Sequence, residues 1–342
     1  MVALVHKGKR RAPGVLLSAL LLGACFTSLE ASARPSDRGC AVAPTSTLVV
    51  NVKDQGARAD GWTDDTVAIQ TAIDEIAGTG GTVLVPDGIY MVNAVGKNRL
   101  TLKSNMTLKL TPGATLKAIP NNSKHYSILS ISGASNVAVV GGVLEGDREK
   151  HMGESGEWGM GIRIDRGAKH ITISGVTSRN MWGDGFYVQG AKGVMFCAVT
   201  ADYNRRQGLS IIEADGLIVT GSVFKNTWGT PPSSGIDLEP DVLAQKIINV
   251  RIQNSQFLDN SGSGILINGK KGPITNVAIT HNVFTGNHRS IKLKYAPVVS
   301  AICGNRLIHQ SATWKVLSAF VDAIKFTDVQ NDCDDSRREV YN

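Results

Sequence analysis

Gly161-Ile162-Arg163-Ile164, Gly185-Phe186-Tyr187-Val188, Gly208-Leu209-Ser210-Ile211, Gly235-Ile236-Asp237-Leu238, Gly264-Ile265-Leu266-Ile267 and Ser290-Ile291-Lys292-Leu293 share one pattern: small, apolar, variable, apolar. Their starts lie 24, 23, 27, 29 and 26 residues apart. Alternation with a period of two makes each a strand, apolar members on one face and variable members on the other. Asn180, Asn204, Asn226, Asn260 and Asn287 run in phase, each closing a second strand of the same repeat. Stacked asparagines can hydrogen-bond from one repeat to the next. A unit of this length denotes a solenoid or a propeller. Two or three short strands per unit, with little helix between them, predict an all-β solenoid: a single-stranded parallel β-helix.

In such a fold the rungs stack about 4.8 Å apart and outward side chains form columns. Aligned on their first residues, the six repeats give one outward column of Arg163, Tyr187, Ser210, Asp237, Leu266 and Lys292. A second holds Asp165, Gln189, Ile212, Glu239, Asn268 and Lys294. Asp184, Arg205-Arg206-Gln207 and Arg289 lie just before the strands. Trp158, Trp182 and Trp228 each precede a strand start, which predicts one aromatic wall. Aromatic faces stack on sugar rings, and arginine forks pair with carboxylates. A salt-bridged, solvated sheet face would also use these residue types. The concentration of charge in the middle coils favours a cleft for an acidic polysaccharide.

Glycoside hydrolysis needs an acid and a base or nucleophile, ~6.5–9.5 Å apart for inversion. Asp237 and Glu239 are alternate residues of one strand, about 6.5 Å apart along the backbone. Asp184 lies two rungs away, about 10 Å. These three are the candidate catalytic groups. Arg163, Asp165, Tyr187, Arg205, Arg206, Gln207, Lys292 and the three tryptophans are the candidate sugar-binding groups. β-Elimination on a uronate is the competing chemistry: Arg205, Arg206 or Lys292 as base, and Ca²⁺ on the carboxylates as neutraliser. No zinc pattern occurs, and no metal ligand set is assigned. His151 and His288 are read as surface residues.

The rest of the chain frames this domain. Residues 1–33 read as a leader: Lys7, Lys9, Arg10 and Arg11, then an apolar run from Val15 to Phe26, then Ala31-Ser32-Ala33 as the cleavage site. Export to the periplasm or outside the cell follows. Leu22-Gly23-Ala24-Cys25 offers the alternative of an outer-membrane lipoprotein lipidated at Cys25, the one route to a membrane. The formal charge is +7 for the whole chain, and about +4 without the leader. That balance suits an anionic substrate and does not call for nucleic acid. Residues 34–46 read as a flexible lead-in, 47–310 as the β-helix and 311–342 as a C-terminal cap. Thr63–Ala77 is the clearest helix, with Ile69, Ile73 and Ile76 on one face, Asp64 and Asp65 at its start and Gly78 as its stop. It is expected to cap the first open strand edge. Val316, Leu317, Phe320, Val321 and Ile324 predict a second capping helix. Capped ends favour a monomer. Of the cysteines, Cys197 reads as a buried thiol, and Cys303 with Cys333 as a staple of the C-terminal segment. The polar stretch Asp147–Gly159 interrupts the repeat as an insertion, a place where solenoids put function.

Ala59-Asp60-Gly61-Trp62-Thr63-Asp64-Asp65-Thr66 and Gly80-Gly81-Thr82-Val83-Leu84-Val85-Pro86-Asp87-Gly88-Ile89-Tyr90 resemble the N-terminal signature of the pectate lyase/rhamnogalacturonase-like superfamily. Ala59 stands where its usual opening glycine would be. The resemblance implies a right-handed parallel β-helix, and many members of that superfamily act on polysaccharides. Gly183-Asp184-Gly185 and Arg289-Ser290-Ile291-Lys292 are loosely similar to motifs of polygalacturonase-like hydrolases, whose Asp-Asp and Gly-His-Gly are missing here. Asn204-Arg205-Arg206-Gln207-Gly208 is similar to a segment of alginate epimerases that carries histidine at the place of Gln207; their Asp-Pro-His is absent. The expectation is an exported enzyme that cleaves an acidic polysaccharide, by inverting hydrolysis first and by elimination second. A non-catalytic glycan-binding or polysaccharide-export β-helix is the third reading.

Overall fold

The computed structural model describes Cys40, residues 45–295 and residues 297–308. The leader, the expected C-terminal helix and Cys333 lie outside the described residues. What is described is a right-handed parallel β-solenoid with three faces. The first face runs through His125–Ser132, Trp158–Asp165, the opening halves of Asp184–Cys197 and Gln207–Thr220, Ile236–Leu238, Ser263–Asn268 and Arg289–Lys294. The second starts at Val49–Asn51 and continues through the closing halves of the two long strands to Val298–Cys303. The third holds ten strands, from Asp60–Asp64 to Arg306–Ile308.

The repeated small residue has a steric cause. A Cβ placed on Gly161, Gly185, Gly208, Gly235 or Gly264 would lie 2.4–2.7 Å from a carbonyl oxygen of the next coil, at Gly185, Gly208, Gly235, Gly264 and Ser290 respectively. That is a clash with backbone, so in these five coils the first position is limited to glycine. The following apolar residue points inward: Ile162, Phe186, Leu209, Ile236 and Ile265 are in register and fully buried. On the third face Phe224, Phe257 and Phe284 stack at 5.4 and 4.9 Å between ring centroids.

The asparagines split into two adjacent columns. Asn204, Asn260 and Asn287 are buried, and Asn260 Nδ2 donates to Asn287 Oδ1 at 2.7 Å and to Phe224 O at 3.0 Å. Asn180 and Asn226 instead hold the preceding left-handed position, both at φ 54°. Asparagine suits both tasks, a positive φ and an amide ladder, so spacing alone merged them. A second ladder mixes two residue types and so shows no single-residue repeat in the sequence: Ser222, Ser255, Asn282 and Asn305 each accept from the previous coil's backbone.

The helix is Thr66–Ile76, with Ile69, Ala72, Ile73 and Ile76 buried. It starts later than expected because Thr63 and Asp64 complete the strand Asp60–Asp64. Asp64 Oδ1 accepts from Thr66 N at 3.0 Å, whereas Asp65 turns back to Arg58 N and Ala59 N at 2.7 and 3.1 Å. Cys197 is buried as expected but is not a free thiol: it is disulfide-bonded to Cys40, Cα to Cα 5.8 Å, fastening the lead-in to the second face. Cys303 is also disulfide-bonded.

Candidate functional site

The first outward column stands as the spacing predicts. Arg163, Tyr187, Ser210, Asp237, Leu266 and Lys292 are Cα partners in unbroken succession. The second column is broken by a bulge, which brings Glu213 rather than Ile212 into register with Gln189. Ile212 instead packs with Tyr187 and Met160 in a small apolar cluster outside the core.

Two carboxyl groups are sunk into this face. Asp184 is 0% exposed and Asp237 2%. Asp184 Oδ2 accepts from Ser210 Oγ at 2.9 Å and from Arg206 Nη1 at 3.2 Å. Burial pushes its pKa up, and Arg206 and Ser210 offset only part of that rise. Arg206 also faces Glu157 of the insertion, Nε to Oε2 3.4 Å, without an aligned hydrogen bond. Burial disfavours the Arg206 charge, but Asp184, Glu157 and Asp237 together raise its pKa.

Asp237 is held by Gln207. Gln207 Nε2 donates to Asp237 Oδ2 at 2.8 Å, while Gln207 Oε1 accepts from Ser234 N at 2.8 Å. Gln207, expected against sugar, is thus a fully buried strut. No donor meets Asp237 Oδ1. Burial and then the neighbouring Glu239 raise the Asp237 pKa well above the usual carboxylate range. A like charge beside a buried carboxyl favours its protonated form. Glu239 is partly exposed and accepts from Asn268 Nδ2 at 2.7 Å. Asp237 is thus the carboxyl of the two that burial and a neighbouring like charge hold toward its protonated form.

The remaining candidates divide between groove and wall. Arg163 bonds Asp165, Nε to Oδ2 2.6 Å, and lies 5.6 Å over the Tyr187 ring. Burial, followed by Asp241, pushes the Tyr187 pKa to about 12. Lys292 is pushed down by burial and by Lys294 and Arg289. The tryptophans do not form one free wall. Trp158 stacks on His125 at 4.5 Å, Trp182 is half-buried between His151 and Arg205, and Trp228 lies exposed beneath Arg148.

His151, read as a surface residue, has a wholly buried side chain. Its Nδ1 is 2.9 Å from Asp147 Oδ2, and Tyr126 Oη donates to Asp147 Oδ1 at 2.6 Å. Asn121 donates to Asp147 twice. This network pins the insertion to the earlier coils. Sequence spacing could not reveal it, since Tyr126 and Asp147 sit on different coils. Among the described residues no group of three or more His, Cys, Asp or Glu is arranged to hold a metal ion.

Residues 49–226 match the family model described as rhamnogalacturonase A/epimerase, pectate lyase-like, and residues 154–307 match that of the right-handed β-helix region. The uncharacterised protein YclG of Bacillus subtilis is 28% identical over 264 residues, covering 65% of this chain. The chain spans only 45% of YclG. A family 28 exopolygalacturonase of Yersinia enterocolitica superposes with a TM-score of 0.60 at 20% identity, over 77% of this chain and 59% of that one. PfbA, a surface adhesin of Streptococcus pneumoniae, gives 0.60 at 20% identity, over 76% and 72%. Those two likenesses are of fold. With the family model covering more than half of its length, this chain belongs to the rhamnogalacturonase A/epimerase, pectate lyase-like family of right-handed parallel β-helix proteins.

Proposed function

We propose that this protein is an exported enzyme that hydrolyses glycosidic bonds of an acidic polysaccharide along its first face. The observation that carries the proposal is the Asp237–Glu239 pair, a buried carboxyl beside a partly exposed one in an outward polar column. A carboxyl pushed up toward its protonated form is what a general acid needs for the leaving oxygen. Asp237 supplies the proton, and Glu239, the partly exposed member, relays it toward the groove. Asp184 is the base for water and reaches water only when its contact with Arg206 opens. Arg163, Tyr187 and Lys292 hold sugar above and below. The two-rung offset of Asp184 supports inversion, since it leaves room for a water.

Elimination is the second reading, and Lys292 favours it: a lysine whose pKa is depressed is a readier base. Ca²⁺ belongs to that reading alone. The family resemblance also accommodates a binding protein without turnover, PfbA being described as an adhesin. Export and a monomeric state are part of the proposal, tested by fractionating cells, sequencing the mature N-terminus and weighing the protein in solution.

The deciding experiment incubates the protein with a panel of acidic polysaccharides, with and without chelator, following reducing ends and ultraviolet absorbance together. Hydrolysis yields reducing ends with flat absorbance. A rise in both moves the assignment to elimination. Asp237→Asn should lower turnover about 10²–10⁴-fold with binding retained; unchanged turnover would remove the carboxylate pair from the mechanism.

A further inference from the structure

Beside the carboxylate column, two guanidinium groups converge without an acid bound to either. Arg148 comes from the insertion, and Arg205 from the segment before Gln207–Thr220. Arg148 Cζ lies 4.1 Å over the Trp228 ring, and Arg205 Cζ lies 3.8 Å over the Trp182 ring. Both side chains meet over Gly229, at φ 127°: a Cβ there would stand 2.9 Å from Arg205 Cγ and 3.5 Å from Arg148 Nη2. Backbone carbonyls hold them. Arg148 Nη1 donates to Tyr203 O at 2.6 Å, and Arg205 Nη1 to Gly156 O at 2.8 Å and Trp182 O at 3.2 Å.

Among the described residues, the arginine ion pairs are those of Arg163, Arg179 and Arg206; neither Arg148 nor Arg205 makes one. Glu149 and Glu157 favour their charges from beyond ion-pair distance. Burial, and for Arg148 then the charge of Arg205, pulls the pKa down. Like charges held together by carbonyls and ring faces leave the site short of negative charge. Trp228 is 55% exposed and supplies an aromatic surface next to that deficit.

We propose that Arg148 and Arg205, with Trp228 beside them, form a subsite for the carboxylate of an acidic sugar. The proposal rests on the reading of this region as a glycan site and not on any bond being cleaved. Planar forks match a carboxylate, and a guanidinium is more weakly hydrated than an ammonium and so gives up less water on pairing. The sugar ring lies on the open part of Trp228. The competing role is mechanical, the two arginines merely fastening the insertion. Arg205 makes two such fastening bonds, to Gly156 O and Trp182 O, and Arg148 one, to Tyr203 O, so Arg148 is the more informative residue.

The test is calorimetric binding at low ionic strength of oligomers from polygalacturonate and alginate, of methyl-esterified polygalacturonate oligomers, and of a sulfated oligosaccharide. Wild type should prefer a uronate oligomer to the ester, and added salt should narrow that preference. Arg148→Gln should weaken uronate binding on the order of tenfold, with ester binding and melting temperature unchanged. Arg148→Lys should fall between, since it keeps charge but not the fork. Equal weakening toward uronate and ester would establish the mechanical role and overturn the subsite. So would unchanged uronate affinity in Arg148→Gln, or a wild type with no preference for either uronate over the ester. Preference for the sulfated probe alone would overturn the carboxylate assignment. None of these readouts needs turnover, so failure of the hydrolase reading leaves them interpretable.

Discussion

At the scale of the residue, Asp237 sets function against stability. Its folded-state pKa is raised by burial and by Glu239. The native state therefore keeps a proton that the unfolded chain has already released. The sign follows from linkage: the favourable balance is complete below the unfolded carboxylate pKa and is lost as pH rises through the folded value. Asp237→Asn removes the titrating group while its amide oxygen can still accept from Gln207. At pH 8 the variant should melt higher than wild type, by roughly 2–4 °C for each kcal/mol relieved. The two should converge near pH 4, as scanning calorimetry at both pH values would reveal. A variant that melts lower at pH 8 would mean that Asp237 is ionised and well paired. Gain of stability with loss of turnover is the signature of a group kept for chemistry.

At the scale of the element, the insertion 147–159 is a wall built from buried polar bonds. Asp147 accepts from Tyr126 Oη, from Asn121 twice, and faces His151 Nδ1. Truncation to alanine would orphan several buried groups together. Asp147→Ala should cost about 3 kcal/mol in urea unfolding and should raise hydrogen exchange across residues 148–157. Exchange unchanged there would show that the ring stacking of His151 on Trp182, at 4.2 Å, suffices to hold the segment. The insertion's polar composition marked it as a departure from the repeat. Which of its side chains turn inward was not legible, because the partners of Asp147 come from coils 21 and 26 residues away.

At the scale of the whole molecule, stability is carried from coil to coil, so that a defect in one rung is felt by its neighbours. The Phe224–Phe257–Phe284 stack runs through the third face as one apolar spine. Phe257 touches a ring on each side, and Phe257→Ala should cost about 3–5 kcal/mol, with a lower urea midpoint by circular dichroism. A loss under 1 kcal/mol would mean that the adjoining coils close over the gap. The Cys40–Cys197 bridge ties chain ahead of the first coil to the middle of the solenoid.

The sequence by itself determined the solenoid, its strand period and the order of the first outward column. Successive middle coils repeat one steric problem, and Gly161, Gly185, Gly208, Gly235 and Gly264 are its repeated answer. It also placed Asp237 and Glu239 on one strand, since alternation decides which side chains share a face. Only the tertiary structure decided what surrounds those carboxyls. That Gln207 is a strut, that Arg206 belongs to Asp184, that His151 is buried and that Arg148 meets Arg205 all depend on contacts between coils. Such contacts are set by bulges, corners and the path of an insertion, whose lengths vary and therefore leave no period to read.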